Sequence, residues 1–257
     1  MCELFGISSS RPVTAKGMLR EFRLRGGLTA DNPDGWGLAR WENGVFHLDK
    51  EPLPAHQSAL FANLCETTRS NLIIAHVRKA KFPPVNTLNN THPFQRACCG
   101  RRWVFAHNGL VPDIVEMEQA NDSPICLPTG ETDSEYAFCH LLSHIAQHFH
   151  RSPAVNTAAS FASLAMASEL IASHGKFNFL MSDGEYLIAY GHDRLHYLEQ
   201  NGTANPDGTP ADSTMIATEP LHGNGSWMLF EPGELRIYRL GEMAGRILTL
   251  GHPGGRS

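Results

Sequence analysis

Nowhere does the chain carry an uninterrupted apolar run of the roughly 18 residues that a membrane helix needs, so no segment is expected to span a bilayer. Lysine and arginine form no block, and their 21 residues are outnumbered by 26 aspartates and glutamates, for a net charge of −5. That balance lacks the electrostatic footprint of a nucleic-acid binder or of a protein that docks on an anionic membrane. The opening residues, Met1-Cys2-Glu3-Leu4-Phe5-Gly6, have neither the basic region nor the apolar stretch of a secretory signal, which makes the cytoplasm the expected location. The six cysteines (Cys2, Cys65, Cys98, Cys99, Cys126 and Cys139) are irregularly spaced with no C-x-x-C pair. Neither a disulfide framework nor a cysteine-rich zinc site is therefore expected. There is no internal repeat, no low-complexity tract and no linker-like stretch. The 257 residues are read as one domain, 1–257.

What is present is ordinary globular material, 42% hydrophobic and 18% charged, with enough apolar residues for a sizeable core. Strands are expected at 4–8, 35–41, 45–49, 71–77, 103–106, 177–181, 186–190, 215–218 and 235–240. Asn43-Gly44 and Asp183-Gly184 supply two-residue hairpin turns. A helix is expected over 132–150, where Phe138, Leu141, Leu142, Ile145 and Phe149 make one apolar stripe, and an alanine-rich helix over 157–173, capped by Gly175. Residues 201–212 read as a surface loop. Hairpins imply antiparallel pairing, and two adjacent helices between groups of strands argue against alternating βαβ units. The expectation is an α+β protein with two antiparallel sheets packed together and covered by helices.

Cys2 is the first candidate for chemistry. It follows Met1 and is small, so Met1 is expected to be removed, leaving a thiol and a free α-amine on one residue. With reference pKa values of about 8.5 and about 7.7–8.0, that residue can supply both a nucleophile and a base. Taken alone, a terminal cysteine needs no role. Phe105-Ala106-His107-Asn108-Gly109 ends a strand, and an Asn amide beside a Gly N–H at a turn can give two donors to one oxyanion. It also reads as a plain Asn-Gly turn. His76-Val77-Arg78 ends another strand, where an arginine can grip a carboxylate bidentately or simply form a surface ion pair. In Gly130-Glu131-Thr132-Asp133-Ser134-Glu135, Thr132 or Asp133 can cap the helix, or Asp133 can hold an ammonium. Asn32-Pro33-Asp34-Gly35-Trp36-Gly37 is a structural turn. Together the parts suit one ligand, with an α-carboxylate for Arg78, an α-ammonium for Asp133 and a side-chain carbonyl for Cys2. Glutamine or another γ-glutamyl compound fits.

The segments around Cys2, Asp34-Gly35-Trp36-Gly37, Ala75-His76-Val77-Arg78, Asn90-Thr91-His92-Pro93-Phe94, Ala106-His107-Asn108-Gly109 and 130–135 resemble, in this order, the class II glutamine amidotransferases. These belong to the N-terminal-nucleophile hydrolases. The likeness is to the stand-alone YafJ-type members, and it continues through 178–184 and 216–221, nearly the whole chain. The resemblance implies a four-layer αββα sandwich. It implies Cys2 as nucleophile with its amine as base, Asn108 and Gly109 as the oxyanion hole, Arg78 on the substrate carboxylate and Asp133 on its ammonium. No metal and no organic cofactor is implied. A glutamine or γ-glutamyl small molecule is the expected partner, with a separate ammonia-accepting synthase where transfer occurs. One departure stands out: synthetase-linked members usually place Thr and His soon after the arginine, and here Lys79-Ala80-Lys81-Phe82 follows Arg78. A γ-glutamyl amide or peptide hydrolase, or a non-catalytic glutamine sensor, are the alternatives. His92 reads as structural, Cys98-Cys99 as free thiols, and the repeat His140, His144, His148 as a solvated helix face rather than a metal site.

Overall fold

The computed structural model describes residues 1–80, 86–121, 124–151, 158–204, 210–222 and 225–249. The first sheet holds β1 (Glu3–Thr14), β2 (Trp36–Glu42), β3 (Val45–Glu51), β4 (Arg69–Val77), β9 (His196–Ala204), β10 (Pro210–Ala217) and β11 (Met228–Leu229). Its order is β11-β9-β10-β1-β4-β2-β3. The second holds β5 (Phe94–Cys98), β6 (Arg101–Leu110), β7 (Lys176–Ser182), β8 (Tyr186–Gly191), β12 (Glu234–Arg239) and β13 (Glu242–Leu248). Its order is β13-β12-β8-β7-β6-β5. The pairings are antiparallel, as the hairpin signals require. At the second hairpin Gly184 is needed for space as well as for its φ of +91°, because a Cβ there would lie 2.4 Å from the Trp41 ring.

Three apolar clusters mark the three interfaces of an αββα sandwich. One lies between the first sheet and helices α1 (Lys16–Arg25) and α2 (Ala59–Thr67), and contains Phe5, Ile7, Leu19, Phe22, Phe61 and Ile73. The second lies between the sheets, with Leu4, Leu72, Ile74, Val104, Ala106 and Leu180. The third lies between the second sheet and α3 (Asp113–Gln119), α4 (Asp133–Arg151) and α5 (Ala158–Ala172), with Phe105, Ile114, Phe138, Leu141, Leu164 and Phe179. Side chains alternate across a strand. Phe5 and Ile7 therefore face helices while Leu4 faces the other sheet, and Ile73 and Ile74 divide in the same way. Each large side chain buried in this manner contributes about 1.5–3 kcal/mol.

Several expectations change. The first sheet carries its own helix pair. Both helices are short, and α1 buries only Leu19 and Phe22. The stretch expected as a loop over 201–212 is largely a hairpin, with β9 running to Ala204 and β10 starting at Pro210; residues 205–209 lie outside the described residues. Thr157 and the side chain of Phe149 also lie outside them, while Phe138, Leu141, Leu142 and Ile145 form the expected stripe. The histidine repeat does not lie on a wholly solvated face. His140 Nδ1 is 2.6 Å from Glu118 Oε1 of α3 and its ring lies 4.8 Å from that of His144, because α3 covers that side of α4. Among the described residues no group of His, Cys, Asp and Glu is arranged to hold a metal ion. Cys126 and Cys139 form a disulfide. The loop before α4 folds back on the helix, its Thr129 and Gly130 N–H groups donating to Glu135 at 3.0 and 2.7 Å, and this brings the two cysteines together. Cys98 and Cys99 are free, as expected. Among the described residues no helix is long and apolar enough to cross a membrane.

Candidate active site

Cys2 lies just ahead of β1 and shares the inter-sheet side with Leu4. The β1–β4 register pairs Glu3 with Val77, which sets Cys2 beside Arg78 and Lys79 at the end of the neighbouring strand. Its Sγ accepts from Lys79 N at 3.2 Å and reaches Lys79 O at 3.3 Å. Burial pushes the thiol pKa up; the Lys79 N–H, the Arg78 charge and the N-terminal charge pull it down. The net direction is upward.

Arg78 is buried. Its backbone N–H donates to Gly35 O at 2.8 Å, which continues the ladder past β4. Its Nη1 makes two long bonds, to Asn86 Oδ1 at 3.3 Å and Asp34 O at 3.5 Å. Burial lowers its pKa, opposed by the charges of Cys2, Asp34 and Asp133, so these four groups share one electrostatic neighbourhood. In the turn over 32–37, a structural one as expected, the Asp34 carboxylate accepts from Ala80 N at 2.7 Å and from Asn86 Nδ2 at 3.5 Å.

Asn108 and Gly109 lie in the last three residues of β6 on the facing sheet. Asn108 Nδ2 donates to Thr218 Oγ1 at 3.1 Å, and Thr218 Oγ1 also accepts Leu4 N at 2.9 Å. Asn108 O accepts from Asn178 Nδ2 at 3.2 Å. Gly109 cannot be replaced: a Cβ would sit 1.7 Å from Lys176 O and 2.6 Å from His107 Nε2. Asp133 opens α4, with Thr132 Oγ1 accepting Glu135 N at 3.3 Å as the cap. Asp133 Oδ2 accepts Val111 N at 2.7 Å, and its Oδ1 accepts Ser134 N at 2.8 Å. The start of α4 is thereby fastened to the chain just beyond Gly109.

All five residues picked from the sequence thus lie at one end of the sheets, joined by register and short hydrogen-bond links. The sequence reading missed the Lys79 backbone that flanks the sulfur, the Asp34 carboxylate, and Thr218. Only the 216–221 segment pointed toward Thr218, and without a role. His92 packs against His76, ring centroids 4.3 Å apart, and against Phe94 at 4.5 Å. Both histidines are buried, His76 with its pKa lowered to about 3 by burial and the Arg78 charge.

The fold and this cluster meet an independent likeness. The family model for class II glutamine amidotransferases matches residues 1–250. YafJ of Escherichia coli (strain K12) is 38% identical, over 94% of this chain and 99% of its own. A γ-glutamyl-hercynylcysteine sulfoxide hydrolase of Mycobacterium tuberculosis is 25% identical, over 76% of this chain and 71% of its own. Among solved structures, that of a predicted glutamine amidotransferase from Pseudomonas aeruginosa PA01 superposes with a TM-score of 0.73 at 30% identity, covering 95% of this chain and 100% of its own. The chain belongs to the class II glutamine amidotransferases.

Proposed function

We propose that the mature chain, begun at Cys2, cleaves the γ-amide of glutamine through a γ-glutamyl thioester. Met1 is 40% exposed and open to removal, which turns the Cys2 nitrogen into an α-amine. That amine takes the thiol proton as the sulfur attacks the γ-carbonyl carbon. Asn108 Nδ2 and the Gly109 N–H receive the oxyanion, a pair of donors of the kind whose loss costs about 10²–10³-fold in rate. Arg78 holds the α-carboxylate and Asp133 the α-ammonium. Ammonia leaves with the proton carried by the amine, and water then cleaves the thioester to glutamate. Released ammonia passes to a separate synthase. The observation that supports this reading best is the placement of Cys2 against Arg78-Lys79 by strand register, while Thr218 ties the same strand to Asn108.

A second reading is favoured by Lys79-Ala80 following Arg78 and by the M. tuberculosis relative: hydrolysis of γ-glutamyl amides or peptides without ammonia transfer. One preparation decides between them. Intact mass fixes the terminus, and glutamate release is assayed from glutamine and from γ-glutamyl dipeptides side by side. Comparable or faster turnover of glutamine supports the amidotransferase reading, and much faster dipeptide turnover the hydrolase. Tight binding without turnover by a processed chain marks a sensor. Full activity with Met1 still attached overturns the mechanism.

A further inference from the structure

We infer that Thr218 is a positioning residue for the oxyanion-hole amide, which it holds against the strand that carries the nucleophile, an inference that rests on the reading above. Thr218 stands just beyond β10, where the register pairs Phe5 with Ala217. Its backbone N–H donates to Leu4 O at 3.0 Å, and its Oγ1 accepts Leu4 N at 2.9 Å. One residue therefore clasps both backbone groups of Leu4, two residues from Cys2. The same Oγ1 accepts Asn108 Nδ2 from the opposite sheet at 3.1 Å. Thr218, Leu4 and Asn108 are all buried.

A hydroxyl oxygen has two lone pairs, and here both are occupied, one by each sheet. An Asn amide has two N–H groups. With one fixed on Thr218, the amide plane is set and the second N–H is left for the developing oxyanion. Thr218 thus fixes the distance between the strand bearing the sulfur and the donor that must meet the tetrahedral intermediate. Its own position is secured from behind: Arg25 Nη1 donates to Glu219 O at 3.1 Å and Arg25 Nη2 to Pro220 O at 2.7 Å. That guanidinium also pairs with Glu3 at 2.9 Å, so the residues following Thr218 and the residue following Cys2 share one anchor. His196 Nδ1 lies 3.0 Å from Thr218 O.

The test uses the processed full chain and four variants: Thr218→Val, Thr218→Ser, Asn108→Ala and the double variant Thr218→Val/Asn108→Ala. Valine keeps the shape and removes the acceptor; serine keeps the acceptor. Thr218→Val is expected to lower kcat by about 10–100-fold, a part of what a lost oxyanion donor costs, with KM changed less than about threefold. Thr218→Ser is expected to recover to within about fivefold of the starting chain. In the Asn108→Ala background the valine change is expected to cost less than about threefold more, because its effect runs through an amide already removed. A full multiplicative loss in that background overturns the inference, as does failure of serine to rescue. If Thr218→Val does not fold, Thr218→Ala is compared across the same two backgrounds. The Asn108 side-chain amide protons give a readout independent of turnover. One is expected to exchange slowly in the starting chain and to lose that protection in Thr218→Val; unchanged protection overturns the inference even if no γ-glutamyl substrate is cleaved, whereas lost protection in an inactive protein refutes only the proposed activity.

Discussion

The inter-sheet layer holds two buried polar clusters, and they are built on opposite plans. Toward the β11 and β13 edges, Arg236 is paired through two of its nitrogens. Its Nε meets Glu234 at 2.8 Å, its Nη1 meets Tyr238 Oη at 3.2 Å and Glu199 at 3.4 Å, and its guanidinium lies 3.6 Å over the Tyr197 ring. Glu234 in turn accepts from Arg246 and from Glu231 N. At the strand ends around Cys2, partners are fewer and longer. Among the described residues the Arg78 guanidinium uses one nitrogen for two bonds of 3.3 and 3.5 Å, and the Cys2 sulfur has hydrogen bonds of 3.2 and 3.3 Å with the backbone of Lys79. Burying a charge is costly unless it is paired. The first cluster meets that cost internally, which marks it as structural. On the proposed reading, the second leaves hydrogen-bonding capacity among the described residues for a zwitterionic ligand to fill.

The largest effect that separates the two clusters is expected at the sulfur. Cys2→Ala should abolish turnover while glutamine binding, read by calorimetry, survives, since Arg78 and Asp133 are untouched. Appreciable hydrolysis by that variant would remove Cys2 from the mechanism and dissolve the contrast. Next in size is the mirror experiment at the Arg236 cluster. Glu234→Gln removes the charge facing Arg236 and Arg246, and breaking one partner of a buried pair costs about 3–5 kcal/mol. Urea denaturation should show that loss, with kcat and KM at a permissive temperature held within about twofold. A kinetic defect without a stability defect would mean that the two clusters are not separate devices.

How much of this was legible beforehand follows from how local each signal is. The hairpin turns, the central strands and the stripe on α4 are written in neighbouring residues, and they lie where expected. The strand-end and helix-start places of Arg78, Asn108-Gly109 and Asp133 were legible for the same reason, whereas their proposed roles wait on the assays above. Helix α3 was not, since a seven-residue helix that buries Ile114 and Glu118 shows too little periodicity. Strand β13 was not, because it lies at an edge with Glu242, Met243 and Leu248 exposed and no clean alternation. Thr218 illustrates the harder case. Its importance depends on register across three strands and on Asn108 of the other sheet, and no window of sequence around it contains those partners.

The smallest effect concerns the proton rather than the ligand, and it sharpens the comparison because an arginine cluster cannot show it. Arg236 stays charged throughout the accessible pH range: burial would lower its pKa, but Tyr238 and Glu234 raise it. His76 and His92 behave otherwise. Burial, helped by the Arg78 and His107 charges, takes His76 down to about 3, and His92 also falls well below the ordinary value. Above about pH 6.5, the usual histidine pKa, both are neutral whether the chain is folded or not, and they add no pH dependence. As pH falls below that value the unfolded chain takes up protons that the native state refuses. Stability then drops by up to about 1.4 kcal/mol per pH unit for each such histidine, and for His76 the loss continues until it protonates in the fold near pH 3. Urea midpoints measured from pH 7.5 to pH 5 should show this slope, and His92→Phe, beside the Phe94 ring, should make it shallower by about the share of one histidine. An unchanged slope would mean that His92 takes up its proton in the folded chain, and the pair would then be a charged part of the site rather than its neutral wall.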